Sequence, residues 1–332
     1  MGKKRHHFYS GIGGQAVLEG IMMKNGEKYA VAVRKPDGRI AVDLDNHQGI
    51  LEGNWIRKIP LVRGIFNFID SMVLGMKCLN HSASVADGRE AEEGEGAGDK
   101  WLSALITCFA VALAIGIFVV LPYYLASLLN GFVRNQSVIA IVEGGMRIVI
   151  FIFYVCGISL MKDIRRLYRY HGAEHKCINC IERGRPLTVK NVMRSSRLHK
   201  RCGTSFLFLV LFVSIVLFFF IRVDNVAQRV VLRILLMPVV AGISYEIIRL
   251  AGRFDNILIA IISAPGMAIQ RLTTREPDEE MAKVAIAAVE AVFDWKKYLQ
   301  ENFGYKPEEL EDASQGEGVF GEAAVVEGQS DI

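Results

Sequence analysis

The stretch Tyr170-His-Gly-Ala-Glu-His-Lys176 carries three side chains whose types and spacing suit metal chemistry. On a helix, His171 and His175 stand one turn apart on one face, as two ligands of one ion require. Glu174 lies beside them, where a carboxylate can take a proton from metal-bound water. This is the inverted zincin order, in which the histidines hold zinc and the glutamate is the general base. A third ligand must come from elsewhere, and His199 and Cys202 in Leu198-His-Lys-Arg-Cys-Gly-Thr-Ser-Phe206 are the nearest candidates. Three protein ligands with an open position make a catalytic site, in which bound water has a pKa of about 7, and four filled positions make a structural one. Cys177-x-x-Cys180 followed by His199-x-x-Cys202 is itself a four-ligand zinc pattern, so both readings stand. Either way the expected cofactor is a divalent metal, zinc first.

These residues sit in a chain of 332 residues that is 52% hydrophobic, with mean hydropathy +0.28, more apolar than a soluble domain of this size. Four apolar stretches, at about 102–129, 137–161, 204–222 and 230–250, each approach the roughly 20 residues that cross a bilayer. Four crossings put both termini on one side. The connection from Lys162 to Gly203 holds twelve Lys and Arg against three acidic residues, which places this basic loop, and the histidines with it, in the cytoplasm. Its charge also predicts contact with anionic headgroups. Nucleic acid is not an expected partner, since only Tyr168 and Tyr170 interleave the basic residues.

Residues 1–55 read as a β-rich cytoplasmic segment. Residues 14–45 turn like an antiparallel meander, with Asn25-Gly26 and Pro36-Asp37-Gly38 as turns and Tyr29–Val33 and Arg39–Val42 as strands. Gly2-Lys-Lys-Arg-His-His7 runs into glycines instead of an apolar stretch, which predicts no cleaved leader. In 56–80, Arg63, Asn67, Asp70 and Lys77 form one polar stripe on a helix from Pro60 to Leu79, as at a membrane interface. The acidic, glycine-rich 81–100 reads as a flexible linker. After the spans, 251–276, with Pro265-Gly266, reads as interfacial or re-entrant, 277–304 as an amphipathic helix, and 305–332 as a disordered acidic tail. Inside the spans, Glu143 and Arg147 are four residues apart and can pair, and Arg233 and Glu246 are expected to do likewise. Such charges suit a structural pair or, as a weaker alternative, a transporter.

Four blocks together resemble the bacterial YqhQ-like membrane proteins: Gly13-Gly-Gln-Ala-Val-Leu-Glu-Gly-Ile-Met-Met23, the histidine stretch, His199-Lys-Arg-Cys-Gly-Thr-Ser-Phe206 and Leu272-Thr-Thr-Arg-Glu-Pro277. The resemblance spans about residues 10–295. It implies a location in the bacterial cytoplasmic membrane and a metal, in a family of uncharacterised function whose members are described as predicted metal-dependent enzymes, and it includes His171, Glu174, His175, His199 and Cys202 while Cys177 is less typical. The expected fold is therefore mainly α and polytopic, with about four transmembrane helices and a small antiparallel β segment. The expected function is a membrane-embedded metal-dependent hydrolase, with a non-catalytic membrane scaffold as the alternative.

Overall fold

The computed structural model describes residues 8–88, 97–132, 135–221, 223, 226–253, 257–315 and 324–327. Strands β1 (Gly13–Val17), β2 (Gly20–Asn25), β3 (Lys28–Arg34) and β4 (Ile40–Asn46) form an antiparallel meander in chain order. A short β5 (Ala324–Glu327) adds in parallel to β4. The sequence-level turns at Gly26 and Gly38 are present, each with a positive φ that glycine accepts without strain.

Both faces of the sheet are covered, so its strands are buried on alternate sides. Ile21, Met23, Ala30, Ala32 and Val42 meet α5 (Lys162–Glu182) and α10 (Glu279–Val292) in one core. Met22, Tyr29, Val31 and Val33 face Leu74 and Cys78 of α1 (Val62–Ala86) in a second. The period-2 alternation of a strand thus fills two cores from one sheet. Alanines in α10 let that helix come close, and nine of its fourteen residues are buried.

Among the described residues, four helical segments are long and apolar enough to cross a membrane: Leu105–Ser127, Ser137–Ile158, Gly203–Phe220 and Val231–Ala251. The first combines α2 (Ala97–Ile115), a π-type turn at Gly116–Val120 and α3 (Leu121–Ser127). The others are α4 (Gln136–Ile158), α7 (Gly203–Phe220) and α8 (Val226–Arg253). Large apolar side chains such as Phe109, Phe153, Phe212 and Leu235 remain exposed on them, the surface that lipid covers. The protein is therefore a mainly α membrane protein carrying a small β-sheet domain.

Several stretches differ from their sequence-level description. The basic 162–203 connection is not an open loop: α5 and a short α6 (Val189–Met193) occupy most of it, because the apolar side of α5 packs on the sheet. The polar stripe of α1 is satisfied within the protein. Arg63 pairs with Glu246, Asn67 donates to Tyr245, Arg57 bonds Asp70 and Lys77 lies 3.5 Å from Asp45. The lipid-ready face of α1 is instead Ile69, Met72, Val73 and Met76, at helical spacing and exposed. Residues 257–273 form one helix, α9 (Ile257–Thr273), with Pro265 inside it. The 277–304 stretch breaks at Phe293 into α10 and α11 (Trp295–Phe303), where Asp294 caps α11 by accepting from the Lys297 amide. In the acidic tail, Pro307–Gln315 forms α12. The acidic linker core at 89–96 lies outside the described residues.

Candidate metal centre

α5 starts just after α4 ends, and α7 starts at Gly203, so the histidine face of α5 and the N-terminus of α7 meet where the membrane helices join the sheet domain. There the ligand atoms of His171, His175 and Cys202 all lie within 4.8 Å of one another. Each histidine has its Nδ1 against a main-chain carbonyl, His171 at 2.9 Å from Thr273 and His175 at 2.6 Å from Arg197. A carbonyl only accepts, so both Nδ1 atoms carry a proton, which leaves Nε2 as the atom of each ring that can serve a metal. His171 Nε2 is 3.1 Å from Cys202 Sγ.

Cys202 is the N-cap of α7, its Sγ accepting from the Thr204 amide at 3.4 Å. Burial opposes a charge on this sulfur, but the neighbouring His171 and His175 outweigh it and hold the thiol well below the usual thiol range. Burial likewise opposes charge on His171, and Cys202 prevails there too, raising the imidazole to about 9. A thiolate is the form that binds metal.

His199 lies beside the group and outside it. Its ring is 5.7 Å from that of His175, its Nε2 is 3.5 Å from Glu182, and burial pushes it down to about 4, keeping it neutral. Glu182 is fully buried, where burial would raise its carboxyl, yet His199, Arg201 and the Ser10 amide bring it down to about 2. Gln270 of α9 clamps the His199 main chain, accepting from its amide at 2.9 Å and donating to its carbonyl at 2.7 Å.

Glu174 is 5% exposed, and among the described residues no hydrogen bond reaches its carboxylate. Burial raises its pKa, with His175 and His171 opposing. It lines a cavity of about 540 Å³ together with His171, His175, Cys202 and Gly13–Ala16. The carboxylate lies so close to β1 that a Cβ placed on Gly14 would stand 3.0 Å from its Cδ.

Cys177 and Cys180 do not join the group. They fall on the core side of α5: Cys177 is fully buried with its thiol pushed well above the usual range, and Cys180, raised to about 12 by burial, points at the Arg185 and Pro186 carbonyls. The reason is helical phase, since positions 177 and 180 lie on the other side from 171 and 175.

Glu246 does not pair with Arg233, because thirteen residues of helix, about 20 Å, separate them. It binds Arg63 of α1, whereas Arg233 and Arg147 both bind Glu143, Arg147 at 2.8 Å. Arg147 also donates to the Phe118 carbonyl at 3.0 Å, within the π-type turn. Sequence reasoning missed Glu182, Gln270 and the carbonyls of Thr273 and Arg197. Glu182 continues the helical stripe of His171, His175 and Ile178, and Thr273 lies in the Leu272–Pro277 block, which supplied the only advance signals.

No solved structure matches the chain. A curated relative, "Uncharacterized protein YqhQ" of Bacillus subtilis (strain 168), is 34% identical over 309 residues, covering 90% of this chain and 97% of that protein. The profile described as "Protein of unknown function (DUF1385)" matches residues 59–295, which include every side chain of the metal-ligand candidate group. With most of its length matched on both counts, the chain belongs to this family of YqhQ-like membrane proteins.

Proposed function

We propose that the protein is a membrane-embedded, metal-dependent hydrolase in which His171, His175 and Cys202 hold a zinc-type ion and Glu174 is the general base. The observation that carries this reading is three convergent ligand atoms beside a buried, unpartnered carboxylate, all opening on one cavity. His171, His175 and Cys202 would hold the ion, which would supply Lewis acidity to a water and to a substrate carbonyl. The chain's own residues do the rest. The carbonyls of Thr273 and Arg197 fix the histidine tautomers, and the α7 N-terminus holds the Cys202 thiolate. Glu174 takes the proton from the attacking water and returns it to the leaving group. The basic surface of 162–203 supports a cytoplasmic face near anionic headgroups.

A non-catalytic scaffold is favoured by one observation, the network of Glu182, His199, Arg201 and Gln270 that ties α5, α7 and α9 together. Loading the full chain with Co²⁺ separates the two readings. The hydrolase reading expects a visible-band titration near pH of about 7, from bound water, that shifts in Glu174→Gln while one metal per chain is retained. A pH-independent spectrum would indicate a filled shell and support the scaffold, and loss of metal in Glu174→Gln would make Glu174 a ligand.

A further inference from the structure

The wall of the cavity opposite the metal group is an edge strand. Among the described residues β1 pairs only with β2, in the register Gly13↔Lys24, Gly14↔Met23, Gln15↔Met22, Ala16↔Ile21 and Val17↔Gly20. The two-residue turn at Leu18-Glu19 makes Val17 and Gly20 a hydrogen-bonded pair, so Gln15 and Gly13 also bond to β2. Gly14 and Ala16 alternate with them, and their N–H and C=O groups point away from the sheet. Among the described residues nothing bonds to these four groups. Gly14 is exposed and Ala16 half-buried, so water meets these groups and an added strand can take its place with main-chain hydrogen bonds of its own.

Two features of that edge select the partner. Gly13 and Gly14 carry no side chains, so another main chain can approach closely, and Gly14 lies directly against Glu174. The remaining lining joins Ile12, Leu167, Ile178 and Leu207, which suit apolar side chains, to the polar Thr204 and Arg201. We propose that the free edge of β1 is the docking strand for an extended polypeptide substrate, whose main chain pairs with Gly14 and Ala16 and so lies between β1 and the His171, His175, Cys202 group. Strand addition gives main-chain hydrogen bonds for affinity and apolar pockets for alternate side chains. This rests on the hydrolase reading above. In the reaction it implies, the water oxygen bonds to the carbonyl carbon, the C–N bond breaks, and Glu174 carries the water's proton to the departing amine.

Binding of hydroxamates to the zinc-loaded full chain in detergent tests the proposal. The probes are acetohydroxamate, octanohydroxamate, an apolar tripeptidyl hydroxamate, and the same tripeptide with its backbone amides N-methylated. The tripeptide is expected to bind about tenfold or more tighter than acetohydroxamate, and methylation to abolish the gain. Ala16→Pro, which removes one outward N–H and leaves the pairing with β2 intact, is expected to lose the same gain with acetohydroxamate affinity unchanged. An octanohydroxamate gain equal to that of the tripeptide, with no effect of methylation, would overturn the proposal in favour of an acyl chain and leave the metal centre standing. No acetohydroxamate binding to wild type would bring down the hydrolase reading, and the proposal with it.

Discussion

Gly172 lies between the two candidate metal-binding histidines, and replacing it tests how packing holds them. A Cβ on Gly172 would stand 2.0 Å from the Arg275 carbonyl oxygen, whereas real Cβ atoms essentially never come under 3.0 Å, so α5 and the 273–277 segment must part by at least 1.0 Å. The Arg275 amide donates to Tyr168 at 2.8 Å and Thr273 accepts from His171 at 2.9 Å, and an added 1.0 Å would break both. Overpacking of this kind costs about 1–3 kcal/mol, against a gain of up to about 1 kcal/mol from alanine's helix propensity. Losing the carbonyl partner of a ligating histidine costs about 10–100-fold in metal affinity. Gly172→Ala is therefore expected to unfold earlier in denaturant and to lose zinc to a chelator at lower concentration. Gly145→Ala, inside α4 with nothing within 4 Å of the new methyl, is the control and is expected to leave zinc affinity unchanged and stability unchanged or raised by up to about 1 kcal/mol. A Gly172→Ala protein with wild-type stability and zinc affinity would refute the claim that close approach of α5 to this segment orients His171.

Acid is expected to destabilise the folded sheet domain in two overlapping stages. The neutral, buried His199 has its pKa lowered from 6.5 to about 4, so its contribution is complete above pH 6.5 and is lost as pH falls toward 4. Glu182, lowered from 4.5 to about 2, contributes above pH 4.5 and loses its part between there and 2, about 3 kcal/mol in all. Glu182→Gln should flatten the lower stage in unfolding curves measured against pH. Glu143→Ala leaves Arg147 and Arg233 buried without their carboxylate and is expected to cost about 3–5 kcal/mol, read as a lowered unfolding temperature in detergent. Arg233→Leu keeps the Glu143–Arg147 pair and is expected to cost less. Cys177→Ala should lower stability modestly through lost packing and leave metal content unchanged.

The parts of the fold read correctly from sequence are those set by local chemistry. The meander announced itself through Asn25-Gly26 and Pro36-Asp37-Gly38, and the spans through sustained apolar runs. What stayed hidden depends on contacts between distant segments. Nothing local in the basic 162–203 stretch says that α5 packs on the sheet beside α10, because its apolar side is interrupted by charges that find partners only in the folded protein, such as Lys176 on the Met193 and Ser195 carbonyls. Glu246 has an arginine three residues on and another far upstream, and only the packing of α1 against α8 chooses Arg63. Within the site, ligand types and helical spacing singled out His171 and His175, with His199 and Cys202 both offered as further ligands. The separation of His199 from them needed Glu182 and Gln270 in place.

Co²⁺ substitution tests whether His171, His175 and Cys202 share one metal ion. One metal per chain is expected, with a near-ultraviolet thiolate-to-cobalt band that persists in Cys177→Ala and disappears in Cys202→Ser. A protein that binds no metal, or whose thiolate band survives Cys202→Ser, would contradict it.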